Sequence, residues 1–442
     1  MKPRRYQLRK EAVGAALHHP WIFRGHMSSA ADVLRDGELL RLVDGANRIV
    51  GHGFYEATGA IAIRMLRRGP PPPDAAWLRG RLAAAVARRA ELAGRSDAIR
   101  LVHGESDDIP AVVVDRFGDT LVVASYATGA DAMARYAARV LALGPASPII
   151  GPARHVLLRP ARLRHAAAPR PGSPPDGDRE PRAGAPHDDH ELRAGIAHDD
   201  HDHDHGAAGS PPGEPLRADP GHAPAVRVLR GAPPEIAHIT EDGIGFAVDL
   251  ATGQKTGAYL DLRGLRRELA GAPLAGARVL NLFAYTGMLG RAAERAGAAA
   301  IVQVDASERA LAFAARHHVD DPARHTLVTA DVFAWLPAAL GEPYDLVIVD
   351  PPAMTTRASQ VPTVLAAYRK LYRAAARQVR AGGALVAACC TSRIERAVFH
   401  RTVREALGPG FTFDHEIPPE KDHPVGFPQA DYLKIGWWRR AG

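Results

Sequence analysis

Two aspartates that each close an apolar run, and a loop that closes a third, are the residues of this chain best placed for ligand chemistry. Val279-Leu280-Asn281-Leu282-Phe283 stops at Ala284-Tyr285-Thr286-Gly287, after which Leu289, Ala292, Ala293 and Ala296 recur at helical spacing. This reads as strand, tight turn, helix. Ala300-Ile301-Val302-Gln303-Val304 ends in Asp305, and Tyr344-Asp345-Leu346-Val347-Ile348-Val349 ends in Asp350-Pro351-Pro352. In an open α/β sheet, ligands bind outside the carboxyl ends of the strands, and an acid ending the second strand is placed to accept hydrogen bonds from a ribose. Asn281 to Gly287 holds one glycine where G-x-G-x-x-G needs three, which disfavours a pyrophosphate held on backbone amides. The pocket suits a nucleoside without phosphates.

The elements that would carry this pocket occupy the last part of a chain of 442 residues, long enough for two or three domains. Before it, Leu39–Val43, Ile49–Tyr55 and Ala60–Met65 read as strands, with the hairpin signal Asp44-Gly45 between the first two. A β-rich first module is expected, closed by the stiff run Gly69-Pro70-Pro71-Pro72-Pro73. A helix is expected from Ala75 to Ala93 with Leu78, Leu82, Val86 and Ala90 on one side. Strands at Ile99–Val102, Ala111–Asp115 and Thr120–Ala124, then a helix near Ala130 to Leu143, make an α+β middle domain.

From about Pro160 to Pro224 apolar periodicity disappears, and disorder is expected because there is too little apolar surface to offset the ordering entropy. The run His198 to His205 alternates imidazoles with carboxylates, but nothing in the sequence fixes a ligand geometry, so no metal is assigned. Order resumes at Ala237 to Leu250. Lys255-Thr256-Gly257 resembles half a phosphate loop without the upstream glycine spacing, which disfavours ATP.

A net charge of +7 and a pI near 9.6 favour a polyanionic partner, nucleic acid above all. No apolar run is long enough to cross a bilayer, and the basic N-terminus lacks the apolar core of a secretory signal, so a cytoplasmic protein with no membrane partner is expected. The two cysteines, Cys389 and Cys390, are adjacent and can form neither a disulfide framework nor a four-ligand zinc site.

Several motifs recur together: His19-Pro20-Trp21, Gly104-Glu105-Ser106-Asp107 with Pro110, Asp115-Arg116-Phe117-Gly118-Asp119, Lys255-Thr256-Gly257 with Leu260-Asp261 and Arg263, Asn281 to Gly287, Asp350-Pro351-Pro352, and Asp422-His423-Pro424. In combination they resemble the bacterial 23S ribosomal RNA cytosine-C5 methyltransferase I family. The resemblance covers nearly everything except the His-rich insertion. It implies an N-terminal PUA barrel over residues 1–72, a central α+β domain over 73–250 interrupted at about 160–224, and a Rossmann-like class I methyltransferase domain over 251–442 whose last strand is antiparallel. It implies S-adenosyl-L-methionine as cofactor and large-subunit ribosomal RNA as partner, with a homodimer left open. Carried over residue by residue, Phe283, Tyr285, Thr286 and Gly287 line the methionine part of the cofactor, Asp305 holds the ribose, and Asp331 meets the adenine amino group. Leu262 stands where the family usually has Gln, and Ala353-Met354 follows the double proline where a basic residue and an aromatic are usual.

C5 of cytosine is barely nucleophilic, so a thiolate must first add to C6 and create an enamine. Leu385 to Ser392 ends a strand in Cys389-Cys390, and neighbouring strand residues point to opposite faces. Alignment with the family's cysteine triplet favours Cys390 as nucleophile and leaves Cys389 to packing. Asp350 would hydrogen-bond the base edge and would border the cofactor. A helix beginning near Ser392 would lower the Cys390 thiol pKa through its dipole. Methylation of another base, such as guanine N7, and RNA binding by a catalytically dead domain are the alternatives. A covalent complex on 5-fluorocytosine RNA separates the first from cytosine-C5 chemistry, and calorimetry with the cofactor separates the second.

Overall fold

The computed structural model describes residues 2–27, 33–144, 151–161, 226–339, 341–355 and 358–442. The run His198 to His205 and most of the segment expected to be disordered lie outside these residues.

The first sheet contains β1 (Arg4–Gln7), β2 (Trp21–Phe23), β3 (Leu39–Val43), β4 (Ile49–Tyr55) and β5 (Ile61–Arg68) in the order β1-β3-β4-β5-β2. Leu40 and Leu42 point into a core with Tyr6, Ile22, Ile63 and Met65, while Arg41 between them faces out, the alternation a half-buried strand requires. The β3–β4 turn differs from a two-residue Asp-Gly hairpin. Asp44 Oδ1 accepts from the N–H groups of Ala46 and Arg48, and the left-handed residue is Asn47 at φ 62°.

The second sheet has β6 (Ala98–His103), β7 (Val112–Phe117), β8 (Thr120–Ser125), β9 (His155–Arg159) and β10 (Arg227–Arg230) in the order β10-β9-β8-β7-β6. β9 and β10 pair antiparallel, so the chain between them leaves and returns at neighbouring strands. The helix expected to reach Ala93 spans Ala75–Ala87, and Ala90 is exposed. Just past its end Arg89 turns inward, fully buried, to grip both oxygens of Asp107 at 2.8 and 2.6 Å.

A hairpin of β11 (Ile236–Glu241) and β12 (Ile244–Asp249) turns through Asp242 and Gly243, both at positive φ. It leads into a seven-stranded sheet of β13 (Arg278–Leu282), β14 (Ala300–Asp305), β15 (His325–Thr329), β16 (Tyr344–Val349), β17 (Val379–Cys389), β18 (Phe411–Ile417) and β19 (Lys434–Arg440). The order is β15-β14-β13-β16-β17-β19-β18; the first five pair in parallel, and β19 runs antiparallel to both β17 and β18. Residues of β13, β16 and β17 alternate between two buried cores, one on each face of the sheet. The strand order reverses at β13, which places the crevice at the carboxyl ends of β13, β14 and β16. Among the described residues no helix is long and apolar enough to cross a membrane.

Candidate active site

The loop after β13 takes a shape that side chains seldom permit. Phe283 and Tyr285 lie at φ 60° and 49°, and Gly287 at 77°. A Cβ on Gly287 would stand 2.8 Å from Ala314 Cβ, so glycine is needed there for both conformation and space. Asp305, at the end of β14, secures the loop: its two carboxylate oxygens accept from the Tyr285 and Ser307 N–H groups, each at 2.8 Å. Buried His318 holds the other side, accepting the Ala247 N–H at 3.0 Å on Nε2 and donating from Nδ1 to the Thr286 carbonyl. Burial pushes its pKa down to about 4, which keeps the ring in the neutral form this bonding needs. Asp331 caps the helix Val332–Ala338 with one oxygen, accepting from Phe333 N–H at 2.8 Å, and is itself exposed. Phe333 is 40% exposed and meets Phe283 edge to face at 5.6 Å, so the crevice has an apolar wall between two acids.

The two thiols leave β17 on opposite faces. Cys389 is fully buried in the core under the helix Val361–Gln378, where the Tyr368 hydroxyl donates to it at 3.6 Å. Cys390 is half-buried on the other face, 3.5 Å from the Pro351 carbonyl oxygen. Asp350, half-buried at the end of β16, has its pKa pushed up to about 7 by burial and by the neighbouring Asp261. A carboxyl poised there can donate a proton as readily as accept one.

Around Cys390 stand residues that the sequence reading quoted as motif but gave no role. Lys255 Nζ donates to Asp261 Oδ2 at 3.2 Å and lies 4.2 Å from the centroid of the Tyr259 ring. The same Asp261 oxygen accepts the Tyr432 hydroxyl at 2.8 Å. Burial alone would raise the Asp261 pKa, but Lys255, His423 and Arg100 hold it below the usual carboxylate range. The signal available was the combination of a lysine and an aspartate six residues apart in a turn-rich segment just ahead of the first sheet strand.

Two expectations about the thiol are corrected. The helix after β17 is Arg396–Leu407, with Glu395 at its N-cap, so no helix begins at Ser392. Thr391 to Ile394 form a turn in which Thr391 Oγ1 accepts from Arg393 N–H at 3.3 Å. The Cys390 thiol pKa is consequently not lowered: burial, then Asp350 and Cys389, push it well up, against the opposing charge of Lys255. The remaining motifs hold elements to one another, both within the second sheet and between it and other parts of the chain. Trp21 Nε1 donates to Glu105 at 2.8 Å, Arg100 grips Asp115 through two bonds of 2.8 Å, and Asp422 accepts from Arg100 N–H and Arg263, each at 3.0 Å.

Comparison with known proteins decides the family. The S-adenosylmethionine-dependent methyltransferase family matches residues 216–434, and a PUA-like domain matches residues 8–68. The "Ribosomal RNA large subunit methyltransferase" of Deinococcus radiodurans is 30% identical over 94% of this chain and 92% of its own length. The chain belongs to the ribosomal RNA large subunit methyltransferase family. Within that family, "Ribosomal RNA large subunit methyltransferase I" of Klebsiella pneumoniae is 29% identical over 94% of this chain and 93% of that protein. A SAM-dependent methyltransferase structure from Streptococcus mutans superposes with a TM-score of 0.74 at 19% identity, covering 99% of this chain and all of that one, which speaks for the fold. A methyltransferase structure complexed with SAH scores 0.74 at 18% identity. The cofactor of this family member is S-adenosylmethionine. The crevice is built to suit it: a glycine-closed loop with no room for a Cβ, a strand-end carboxylate with lone pairs left for hydroxyls, and no nest of glycine amides for phosphate.

Proposed function

We propose that this protein methylates C5 of a cytosine in large-subunit (23S) ribosomal RNA, in the cytoplasm, through a transient bond between Cys390 and C6. The observation that carries this reading is the separation of the two thiols, with Cys389 sealed in the core and Cys390 on the face shared with Asp350, Asp261 and Lys255. Amine or N7 methylation needs no such thiol.

Phe283, Tyr285, Thr286, Gly287, Asp305, Asp331 and Asp350 would border the cofactor, the Asp305 carboxylate receiving the ribose hydroxyls and Asp331 the adenine amino group. When bound, S-adenosylmethionine supplies an electrophilic methyl that C5 can take. Cys390 gives its proton to solvent and its sulfur bonds to C6; the electron pair of C5=C6 shifts to C4=C5 while that of C4=N3 moves to N3. Asp350, with its pKa raised to about 7, holds a proton in a large share of molecules near neutral pH, and in that form donates to N3 as that nitrogen becomes basic. After methylation, loss of the C5 proton to water restores C5=C6 and expels the thiolate, and N3 returns its proton to Asp350.

The test is methylation of a large-subunit ribosomal RNA transcript followed by nucleoside mass analysis. Wild type and Cys389→Ala should yield 5-methylcytidine, and Cys390→Ala none while still binding cofactor and RNA. Full turnover by Cys390→Ala, or a product other than 5-methylcytidine, overturns the proposal.

A further inference from the structure

Two helices on one face of the large sheet carry a charge pattern that the fold itself does not use. The helices Val361–Gln378 and Arg396–Leu407 bury Tyr368, Leu371, Tyr372, Phe399 and Val403 in the same core. They lie side by side, with Phe399 edge-on to Tyr368 and Tyr372 at 6.2 and 6.1 Å and Arg369 reaching across to Glu405 at 3.2 Å. On the outside of the first helix, exposed positions recur at 366, 370, 373 and 377, which is one helical face, and the last three are Lys370, Arg373 and Arg377. Arg401 and Arg404 are exposed on the outside of the second. Together the helices hold seven Lys and Arg against one acid, Glu405, in a chain with 56 Lys and Arg against 49 Asp and Glu.

Arg369 and Arg396 are paired with acids, whereas Lys370, Arg373, Arg377, Arg401 and Arg404 have no ion-pair partner among the described residues. A solvated helix face gains from opposite charges three or four residues apart, and like charges at that spacing repel. Lys370 and Arg373, Arg373 and Arg377, and Arg401 and Arg404 stand at that spacing. Arg377 and Arg404 lie in last turns, where they complement the helix dipole, but Lys370, Arg373 and Arg401 have no such local reason. An anionic surface laid over the face would relieve the repulsion.

We propose that the outer face of these two helices is a docking surface for the phosphate backbone of the RNA substrate, engaged away from the nucleotide that is methylated. This rests on the substrate being ribosomal RNA and not on which base is modified. Arg377 stands two residues before β17 begins and Cys390 directly after it ends, so the basic stripe runs along the flank of the domain toward the edge of the sheet opposite the crevice. With a rise of about 1.5 Å per residue, Arg377 lies roughly 10 Å beyond Lys370 along that flank. Cations meeting phosphates fix the position of a nucleic acid without reading its sequence. The face therefore supplies affinity and orientation, and the crevice supplies the chemistry.

The experiment uses the full chain and a transcript of large-subunit ribosomal RNA, and reads the binding constant as salt is raised from about 50 to 200 mM. Each phosphate contact contributes about 0.7–0.9 to the slope of log affinity against log salt, so Arg373→Gln with Arg377→Gln should be shallower than wild type by about 1.5 and bind at least about tenfold more weakly at the low-salt end. Arg401→Gln with Arg404→Gln should do the same, and Arg373→Lys with Arg377→Lys should keep the wild-type slope. Arg135→Gln with Arg139→Gln removes two exposed cations from the helix Asp131–Ala142 beside the second sheet and should leave the slope unchanged. S-adenosylhomocysteine affinity and melting temperature show that the variants are folded, and the melting temperature of the glutamine variants should equal or exceed that of wild type. Unchanged slopes in both face variants overturn the proposal and leave the face to an acidic protein surface. An equal loss in Arg135→Gln with Arg139→Gln also overturns it, because net charge alone would then account for the effect. Either failure is distinct from failure of the cytosine-C5 reading, which would show in the product that wild type forms.

Discussion

Replacing Asp305 with alanine removes two kinds of contact at once. Its oxygens accept the N–H groups of Tyr285 and Ser307 at 2.8 Å, holding the strained loop at the mouth of the crevice. The remaining lone pairs are those proposed to receive the ribose hydroxyls. A hydrogen bond to a charged group is worth about 1.5–3 kcal/mol, so losing two to the ribose costs about 3 kcal/mol or more. Every 1.4 kcal/mol or so is tenfold in affinity, and Asp305→Ala should bind S-adenosylhomocysteine at least about 100-fold more weakly. Asp305→Asn keeps one accepting oxygen and should lose about tenfold. Isothermal titration measures both, and a melting curve separates loss of the loop from loss of the ligand contact. Affinity within threefold of wild type for Asp305→Ala, at an unchanged melting temperature, would refute the assignment of this carboxylate to the ribose.

Two other predictions concern what holds the crevice together. His318 is neutral in the fold with its pKa depressed from 6.5 to about 4, so its contribution is fully present above pH 6.5 and is lost as pH falls through 4; cofactor affinity and stability should decline across that window, by about 2–3 kcal/mol of stability, and His318→Gln should flatten the decline. An unaltered acid limb in His318→Gln would contradict the clamp on Thr286. Arg263 is buried against Asp422, Glu420 and Glu241, and Arg263→Met should destabilise the protein by about 3 kcal/mol or more, read as a lower denaturation midpoint, because it strands buried carboxylates; a midpoint equal to wild type would show the clasp to be dispensable.

Four strands of the large sheet, β13, β14, β16 and the end of β17, were legible because each is an apolar run that stops at a polar residue or a loop, whereas β15, β18 and β19 interleave polar and charged residues with apolar ones and carry no such run. The opposed faces of Cys389 and Cys390 followed from the two-residue repeat of a strand. What escaped was long-range pairing. Nothing local to Arg89 announces that it will fold inward onto Asp107, and nothing near Cys390 reveals Lys255, which arrives from a segment more than a hundred residues earlier. Asp115, Asp422 and Glu105 stand in quoted motifs like site residues, yet each is engaged by an arginine or tryptophan of another element. The expected helix at Ser392 failed for a simpler reason: Thr391 to Ile394 spend their polar groups on a turn, and helical hydrogen bonding starts only after Glu395.

The central claim, a covalent bond between Cys390 and the target base, is tested most directly by incubating the protein with S-adenosylmethionine and ribosomal RNA carrying 5-fluorocytosine. Fluorine at C5 cannot leave as a proton does, so the adduct persists through denaturation. A denaturation-resistant protein–RNA complex whose cross-linked peptide contains the bond at Cys390, formed by Cys389→Ala and absent in Cys390→Ala, is the predicted result. A bond mapped to Cys389, or no complex from an enzyme that still methylates unmodified RNA, would contradict it.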